Sequence, residues 1–187
     1  SSPFSPNDVK FLETVKCPVY KIASPEITDI PLLEAVSKTK KPVIISLGLA
    51  EEKDINLALK VLKKNNCKNY MLLKCTAQYP AKLEQLNLKS IMFLKEKYNC
   101  QIGFSDHTIG SIAPLCAVSL GAKMIEKHIK LKNDNKSLDS FFSTQVQDFA
   151  QMIKKIRDLE MCMGSHKYKL DKSSIKQLNT RKSLFIK

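Results

Sequence analysis

The sequence predicts an α/β fold in which parallel strands alternate with helices. Short apolar segments alternate with longer segments whose apolar residues recur at helical spacing. Several predicted strands end in a small polar residue or a histidine, and these ends are about twenty to thirty residues apart, a usual length for one strand and helix unit. The strand ends are Ser24, Ser46, Thr76, Ser105 and His128. A closed barrel and a doubly wound open sheet both fit this alternation, but no glycine-rich dinucleotide motif supports the Rossmann form of the open sheet.

Start and stop signals support the individual elements. Ser5 followed by Pro6 favours a helix start, Asp29 leads into the next helix, and Gly121 lies where a helix C-cap is expected. Helices are predicted over 6–15, 27–38, 51–64, 86–98 and 145–159, with a further helix of small residues that stops at Gly121. Strands are predicted over 18–23, 42–47, 70–75, 102–107 and 124–129.

Two of the predicted strands end in a histidine close to an acidic residue. His107 follows Asp106, and Glu126 lies two residues before His128, on the same face of its strand. Because parallel strands joined by a helix place their C-terminal ends on one side of a sheet, we expect the two imidazoles to meet. Neutral imidazoles with nearby carboxylates suit a divalent metal. The alternative is that His107 caps a helix and His128 is a satisfied, partly buried side chain.

Five motifs, taken together, resemble one enzyme family. They are YKIAS (20–24), PVIISLG (42–48), LLKCTAQYP (72–80), GFSDHTIG (103–110) and IEKHI (125–129). In this order and spacing they resemble the sialic acid synthases, which condense phosphoenolpyruvate with an acylamino sugar to form a nonulosonic acid. The resemblance implies a partial (β/α)8 TIM barrel with five whole strands and the stub of a sixth. The segment DSFFS (139–143) looks more like the pseudaminic acid synthase branch than the neuraminic or legionaminic branches, which remain alternatives.

Lys21 is the candidate residue for binding an anion. It lies inside an apolar strand, where an unpaired ammonium is costly, so it should meet an anion or shift its pKa. The resemblance implies that it binds the phosphate or carboxylate of phosphoenolpyruvate. The same resemblance places hydroxyl groups around this ligand, from Ser2, Ser24, Ser46 and Ser105. The alternative is a lysine at a strand edge whose ammonium reaches solvent.

The resemblance also implies roles on the sugar side of the site. Glu26 is expected at the sugar or the reacting carbons and is the candidate catalytic residue. Tyr79 is expected to line the sugar pocket, and Asp139 to accept a hydrogen bond from a sugar hydroxyl. The simpler alternatives are an acid at a helix entry, a ring packed above the turn at Pro80, and an ordinary loop aspartate.

The resemblance further implies that His107 and His128 hold Mn²⁺ or Mg²⁺. A metal there would stabilise the alkoxide that forms from the sugar aldehyde. The chain departs from the family at several positions, among them Leu47 and Leu49, where a threonine and a methionine or isoleucine are usual. Ala77 replaces a usual polar residue, and Leu138 replaces the proline that normally precedes the aspartate.

The domain organisation is predicted as a partial barrel over 1–160, a linker over 161–180 and the start of an antifreeze-like domain over 181–187. The family's first barrel strands, with another glutamate and a phosphate-binding lysine, have no counterpart in this sequence. The rest of the antifreeze-like domain, which closes the sugar pocket across a homodimer, has none either. These 187 residues alone are therefore expected to be poorly active, and the full-length protein is expected to be a homodimer.

Composition and charge narrow the class further. The net charge is +13, but the lysines are spread over all the predicted helices except the small-residue helix before Gly121, there is no tryptophan, and aromatic residues make up 7%. This favours a solvated basic surface over a nucleic-acid partner. No apolar run is long enough to cross a bilayer, and six cysteines without a CxxC pair are typical of reduced core thiols, so a cytoplasmic protein is expected. A non-catalytic basic α/β module that binds nucleic acid or sugar phosphates remains the alternative function.

Overall fold

The computed structural model describes residues 1–131 and 136–181. The helices are α1 (Pro6–Thr14), α2 (Ile30–Lys38), α3 (Glu52–Lys64), α4 (Ser90–Tyr98), α5 (Ile112–Ser119), α6 (Val146–Met163) and α7 (Lys172–Lys176), with short 3-10 helices at Ser24–Thr28, Leu83–Gln85 and Leu178–Arg181. The strands are β1 (Tyr20–Ile22), β2 (Val43–Ser46), β3 (Tyr70–Cys75), β4 (Gln101–Asp106), β5 (Ile125–Lys127), β6 (Ile129–Lys130) and β7 (Thr144–Gln145).

Strands β1 to β5 form one parallel sheet in chain order. A flat sheet would separate β1 from β5 by roughly 19 Å, more than two side chains can span. Instead, Lys21 Nζ on β1 lies 3.2 Å from Glu126 Oε1 on β5. The sheet is therefore curled into a half barrel, which confirms the partial barrel and excludes the open sheet.

The first residue continues this sheet beyond β1. The amino group of Ser1 donates to the carbonyl oxygen of Val19 at 3.1 Å, and the carbonyl oxygen of Ser1 accepts from the Lys21 N–H at 2.8 Å. These two bonds have the slanted pattern of a parallel ladder. The predicted stub of a sixth strand, for which the sequence indicated no residues, stays a prediction.

The side chains of the strands alternate between two faces. On the outer face, Tyr20, Ile45, Leu72 and Phe104 are fully buried in a core shared with the helices. The residues between them face the inside of the half barrel, where polar side chains gather near the C-terminal ends of the strands. This alternation lets one short strand serve the core and the site together.

The predicted helix caps are present. The Ser5 hydroxyl accepts from the Asp8 N–H at 3.2 Å, and the Asp29 carboxylate accepts from the Leu32 N–H at 2.9 Å. Gly121, directly after the α5 C-cap, has φ +99°, a conformation that favours glycine. The predicted helix over 27–38 is nevertheless divided, because Asp29 caps α2 after a separate 3-10 helix.

The prediction of one strand over 124–129 is wrong. Strand β5 ends at Lys127, and β6 begins at Ile129 and pairs with β7 in a separate two-stranded parallel sheet. His128 lies between the two strands, and its carbonyl oxygen accepts from the Thr144 N–H at 2.9 Å. An apolar pattern shows where a strand runs but not where its pairing partner changes.

The C-terminal part contains more helix than predicted. Helix α6 runs to Met163, beyond the predicted end at 159 and the predicted domain limit at 160. The segment predicted as linker contains α7 and the last 3-10 helix. Residues 182–187, predicted to begin an antifreeze-like domain, lie outside the described residues, so this domain division stays a prediction.

The free cysteines differ in burial. Cys17, Cys67 and Cys75 are buried free thiols, but Cys116 and Cys162 are exposed, so the prediction of core thiols is wrong for these two. In the described ranges, no helix is long and apolar enough to cross a membrane.

Candidate active site

A cavity of about 470 Å³ opens at the C-terminal ends of the curled strands. Most of the predicted site residues line it: Ser2, Lys21, Ser24, Ser46, Tyr79, Ser105, His107 and His128. The parallel topology thus brings together residues that are up to 126 positions apart in the chain. Their chemical roles stay predictions.

Two predicted site residues are not among the described residues that line this cavity. Glu26 lies in the 3-10 helix after β1, and its Oε2 is buried without a hydrogen-bond partner among the described residues. The Asp139 side chain is 58% exposed, and its Oδ2 lies 3.5 Å from His128 Nδ1. Asp139 is therefore connected to the cavity through His128.

Lys21 is held by an acidic partner inside the cavity. Its side chain is only 15% exposed, and its Nζ lies 3.2 Å from Glu126 Oε1. The Ser105 hydroxyl donates to the same carboxylate oxygen at 2.7 Å. The expectation of an anion at Lys21 is met by Glu126, and the low exposure disfavours a lysine directed to solvent.

The other serines offer hydrogen bonds at the base of the cavity. The Ser24 hydroxyl oxygen accepts from the Gly48 N–H at 2.8 Å. The Ser46 hydroxyl is buried and has no partner among the described residues. A buried hydroxyl without a partner costs free energy unless a bound molecule satisfies it.

His107 is fixed in one tautomer. Its Nδ1 lies 2.8 Å from the carbonyl oxygen of Thr76, and a carbonyl can only accept, so Nδ1 carries the proton and Nε2 keeps its lone pair. The Tyr79 ring packs on the imidazole with centroids 4.2 Å apart. His107 is itself buried, so its orientation is well defined.

His128 lies beside His107, with ring centroids 5.4 Å apart. Burial lowers the pKa of His128 below its ordinary value, and the neighbouring His107 lowers it further, against the attraction of Asp139 and Glu126. The imidazole is therefore neutral near pH 7. The Phe142 ring packs against it at 4.8 Å and covers one side.

The two imidazoles fit a divalent metal as a pair of nitrogen ligands. The hydrogen bond at His107 Nδ1 leaves Nε2 free to coordinate, the usual arrangement of a metal-binding histidine. In the part of the chain that the structure describes, no group of three or more histidine, cysteine or acidic side chains could hold an ion. Water or substrate oxygens would have to complete the coordination.

The family assignment follows from comparison with known proteins. The model of the NeuB family matches residues 1–168. The chain belongs to the NeuB family. The pseudaminic acid synthase of Campylobacter jejuni is 40% identical over 185 residues, which cover 99% of this chain and 54% of that protein. The N,N'-diacetyllegionaminic acid synthase of the same species is 39% identical over 190 residues, which cover 100% of this chain and 57% of that protein.

Solved structures agree with this NeuB assignment. The N-acetylneuraminic acid (sialic acid) synthetase of Leptospira borgpetersenii, solved in complex with citrate, superposes with a TM-score of 0.88 at 32% identity. The match covers 98% of this chain and 64% of that one. The predicted family and barrel fold are confirmed, and the chain spans about half the length of the curated relatives it matches.

Two contacts of this NeuB site were not predicted. Glu126 was expected beside the histidines, yet it binds Lys21 and Ser105. No role was predicted for Lys127, whose ammonium lies 2.5 Å from Asp106 Oδ2. The sequence does contain a signal for this pair, because each residue precedes a histidine at the end of neighbouring strands.

Proposed function

We propose that the native protein condenses phosphoenolpyruvate with an acylamino sugar and releases inorganic phosphate, with pseudaminic acid as the product. The observation that carries this proposal is the cavity of a NeuB chain that holds the sequestered Lys21 beside the two imidazoles of His107 and His128. The names of the related synthases support the reaction class.

The proposed reaction forms one carbon–carbon bond and breaks the C–O bond to phosphate. The methylene carbon of phosphoenolpyruvate forms a carbon–carbon bond with the sugar's aldehyde carbon, whose oxygen becomes an alkoxide and takes a proton. Water adds to the resulting cation at C2 of the former phosphoenolpyruvate; one of its protons goes to the alkoxide, and the other leaves with the phosphate. The C–O bond to phosphate then breaks and leaves a keto acid.

Lys21 is the residue proposed to bind phosphoenolpyruvate. To do so, its ammonium exchanges the Glu126 carboxylate for a phosphate or carboxylate of the substrate. The Ser46 hydroxyl, which lines the same cavity and has no partner among the described residues, gains a hydrogen bond to the substrate. Charge-assisted hydrogen bonds of this kind are stronger than neutral ones.

His107 and His128 are the residues proposed to hold Mn²⁺ or Mg²⁺. A bound divalent cation supplies Lewis-acid stabilisation of negative charge on the sugar's aldehyde oxygen. The chain's own contribution is to orient His107 through the bond from its Nδ1 to the Thr76 carbonyl and to lower the pKa of His128 by burial.

The sugar is proposed to bind on the side of Tyr79 and Asp139. The Tyr79 ring and the Phe142 ring flank the two imidazoles and offer apolar surface to a sugar face. Asp139 keeps 58% of its side chain exposed and can accept a hydrogen bond from a hydroxyl. Glu26, whose buried Oε2 has no partner within residues 1–131 and 136–181, is proposed to act at the reacting carbons.

The proposal is tested by metal-dependent phosphate release from phosphoenolpyruvate by the native polypeptide. An altrose-type diacetamido sugar and N-acetylmannosamine are offered in competition, and the product is identified by mass spectrometry. We expect phosphate release with the first sugar, loss of activity with EDTA, and loss in His107→Ala. Lys41→Met, a lysine substitution away from the cavity, is the control. Preference for N-acetylmannosamine would contradict the pseudaminic product, and no release with either sugar would contradict the synthase function.

A further inference from the structure

A fully buried ion pair joins the ends of β4 and β5. Lys127 Nζ lies 2.5 Å from Asp106 Oδ2, and the two side chains are 1% and 0% exposed. Burying two charges costs several kcal/mol per ion unless close geometry and further hydrogen bonds offset it. A pair buried this completely therefore needs an explanation beyond surface charge.

Thr108 provides the further hydrogen bonds. Its backbone N–H donates to Asp106 Oδ1 at 2.8 Å, and its carbonyl oxygen accepts from Lys127 Nζ at 2.6 Å. Asp106, Thr108 and Lys127 thus form a closed network, which encloses the backbone on both sides of His107. The network satisfies both charges without contact to solvent.

The position of the pair is what connects it to the site. Asp106 and Lys127 are the last paired residues of the β4–β5 ladder, and each directly precedes one of the two histidines. The backbone ladder stops there, so beyond it the strands are held together by this side-chain contact. The separation of His107 and His128 is set immediately after that point.

The backbone bonds of each histidine fix it to other elements, while the rings of Tyr79 and Phe142 pack against both imidazoles. The carbonyl oxygen of His107 accepts from the Ala81 N–H at 3.0 Å, and His128 accepts from Thr144. These bonds orient each residue singly. The ion pair instead connects the two residues that carry the histidines into the cavity.

We propose that Asp106 and Lys127 are a positioning pair that holds His107 and His128 at the separation where both can bind one divalent cation. The functional consequence of this pair rests on the proposed metal site. A buried ion pair can often be replaced by neutral side chains of similar volume with little loss of stability. Stability alone would therefore not require these charges, whereas a fixed distance between two ligands does.

The test compares two double variants of the native polypeptide. Asp106→Asn with Lys127→Met removes both charges and retains an oxygen for the Thr108 N–H. Glu13→Gln with Lys41→Met removes a matched pair, 2.6 Å apart, that lies outside the cavity. Manganese affinity is measured by electron paramagnetic resonance, and thermal unfolding is followed in EDTA.

We expect the first variant to bind Mn²⁺ about 10- to 100-fold more weakly, the usual effect of removing a group that orients a ligand. The control should bind as the wild type does. Both variants should unfold cooperatively. Equal affinity in the first variant and the wild type would overturn the proposal, because a merely structural pair would not change the affinity of a folded protein.

Asp106→Glu covers the case in which the double variant does not fold. It keeps the charge and lengthens the side chain by one methylene, so we expect a folded protein whose affinity for Mn²⁺ is on the order of tenfold weaker. Unchanged affinity in this variant would again contradict the positioning role.

Crystal structures without metal separate this proposal from the proposed function. In Asp106→Asn with Lys127→Met, or in Asp106→Glu if the former does not fold, we expect the 5.4 Å separation of the two rings to change by more than about 0.5 Å. If the wild type binds no Mn²⁺, the metal part of the proposed function fails, and this separation still decides the role of the pair. An unchanged separation would overturn it.

Discussion

Lys21 is the residue whose substitution tests the anion site directly. In Lys21→Met, a charged hydrogen bond to phosphoenolpyruvate is lost, and such bonds contribute about 1.5–3 kcal/mol. We expect the KM for phosphoenolpyruvate in the native polypeptide to rise roughly 10- to 100-fold, with a smaller change in kcat. Steady-state kinetics of phosphate release measure both constants. Lys41→Met should leave KM within about twofold of wild type, and the same small change in Lys21→Met would contradict the assignment.

The cysteines differ in reactivity because they differ in burial. Burial raises the pKa of the Cys67 and Cys100 thiols, so less thiolate forms at pH 8, whereas Cys116 and Cys162 are exposed. We expect the fast phase of reaction with a disulfide reagent to come from the two exposed thiols. Replacing both with serine should remove that phase, and a fast phase that persists would show that a buried thiol opens readily.

Single residues also show what the sequence could not predict. Lys21 was recognisable because a lysine inside an apolar strand needs a partner, but the sequence did not identify that partner. Glu126 lies on the fifth strand, and its contact with the first depends on curvature that no local pattern records. Local sequence patterns likewise do not record the burial of Asp106 and Lys127, because it depends on the register of two strands.

Strand β4 depends on a glycine at its centre. A Cβ on Gly103 would lie 2.5 Å from Leu73 Cδ2 and 2.9 Å from the carbonyl oxygen of Met124. The Leu73 side chain can move, but the backbone oxygen is fixed by the sheet. We expect Gly103→Ala to lower the free energy of unfolding by about 1–3 kcal/mol.

Urea unfolding measures this change, with Ser119→Ala on the exposed face of α5 as the control. The control should shift the free energy of unfolding by no more than about 0.5 kcal/mol. Equal stabilities of Gly103→Ala and wild type would mean that β4 and β5 can move apart at little cost.

Elements with local signals were predicted well, and those with distant partners were not. Asp29 caps its helix as its sequence context suggests. The segment 124–129 was predicted as one strand, because the change of partner after Lys127 depends on β7, which begins at Thr144. Helix α6 was predicted too short, because its last residues, Met161 to Met163, are exposed and do not continue the buried face of the helix.

The described residues form half of a barrel, and this limits what they can do alone. Among the described residues, β5 pairs on one side only, and β1 has just Ser1 on its outer side. We expect these 187 residues alone to release phosphate far more slowly than a polypeptide that also carries the remaining barrel strands. Assays of both forms at equal concentration test this, and equal turnover would contradict it.

The positive charge of the whole chain bears on which partners it attracts. The net charge of +13 favours attraction of anionic substrates over a broad surface. The homodimer, the cytoplasmic location and the absence of a nucleic-acid partner stay predictions. Steep salt dependence of binding to nucleic acid would support the non-catalytic basic module instead.

The contact between Lys21 and Glu126 has a thermodynamic consequence for the curled sheet. An anion that binds the ammonium of Lys21 replaces an ion pair between β1 and β5, the two edge strands of the curled sheet. Anion binding and barrel curvature are therefore thermodynamically coupled. Such coupling is reciprocal. Any change that draws β1 and β5 apart releases Lys21 and raises its affinity for anions, and any change that brings them closer makes Glu126 the stronger competitor.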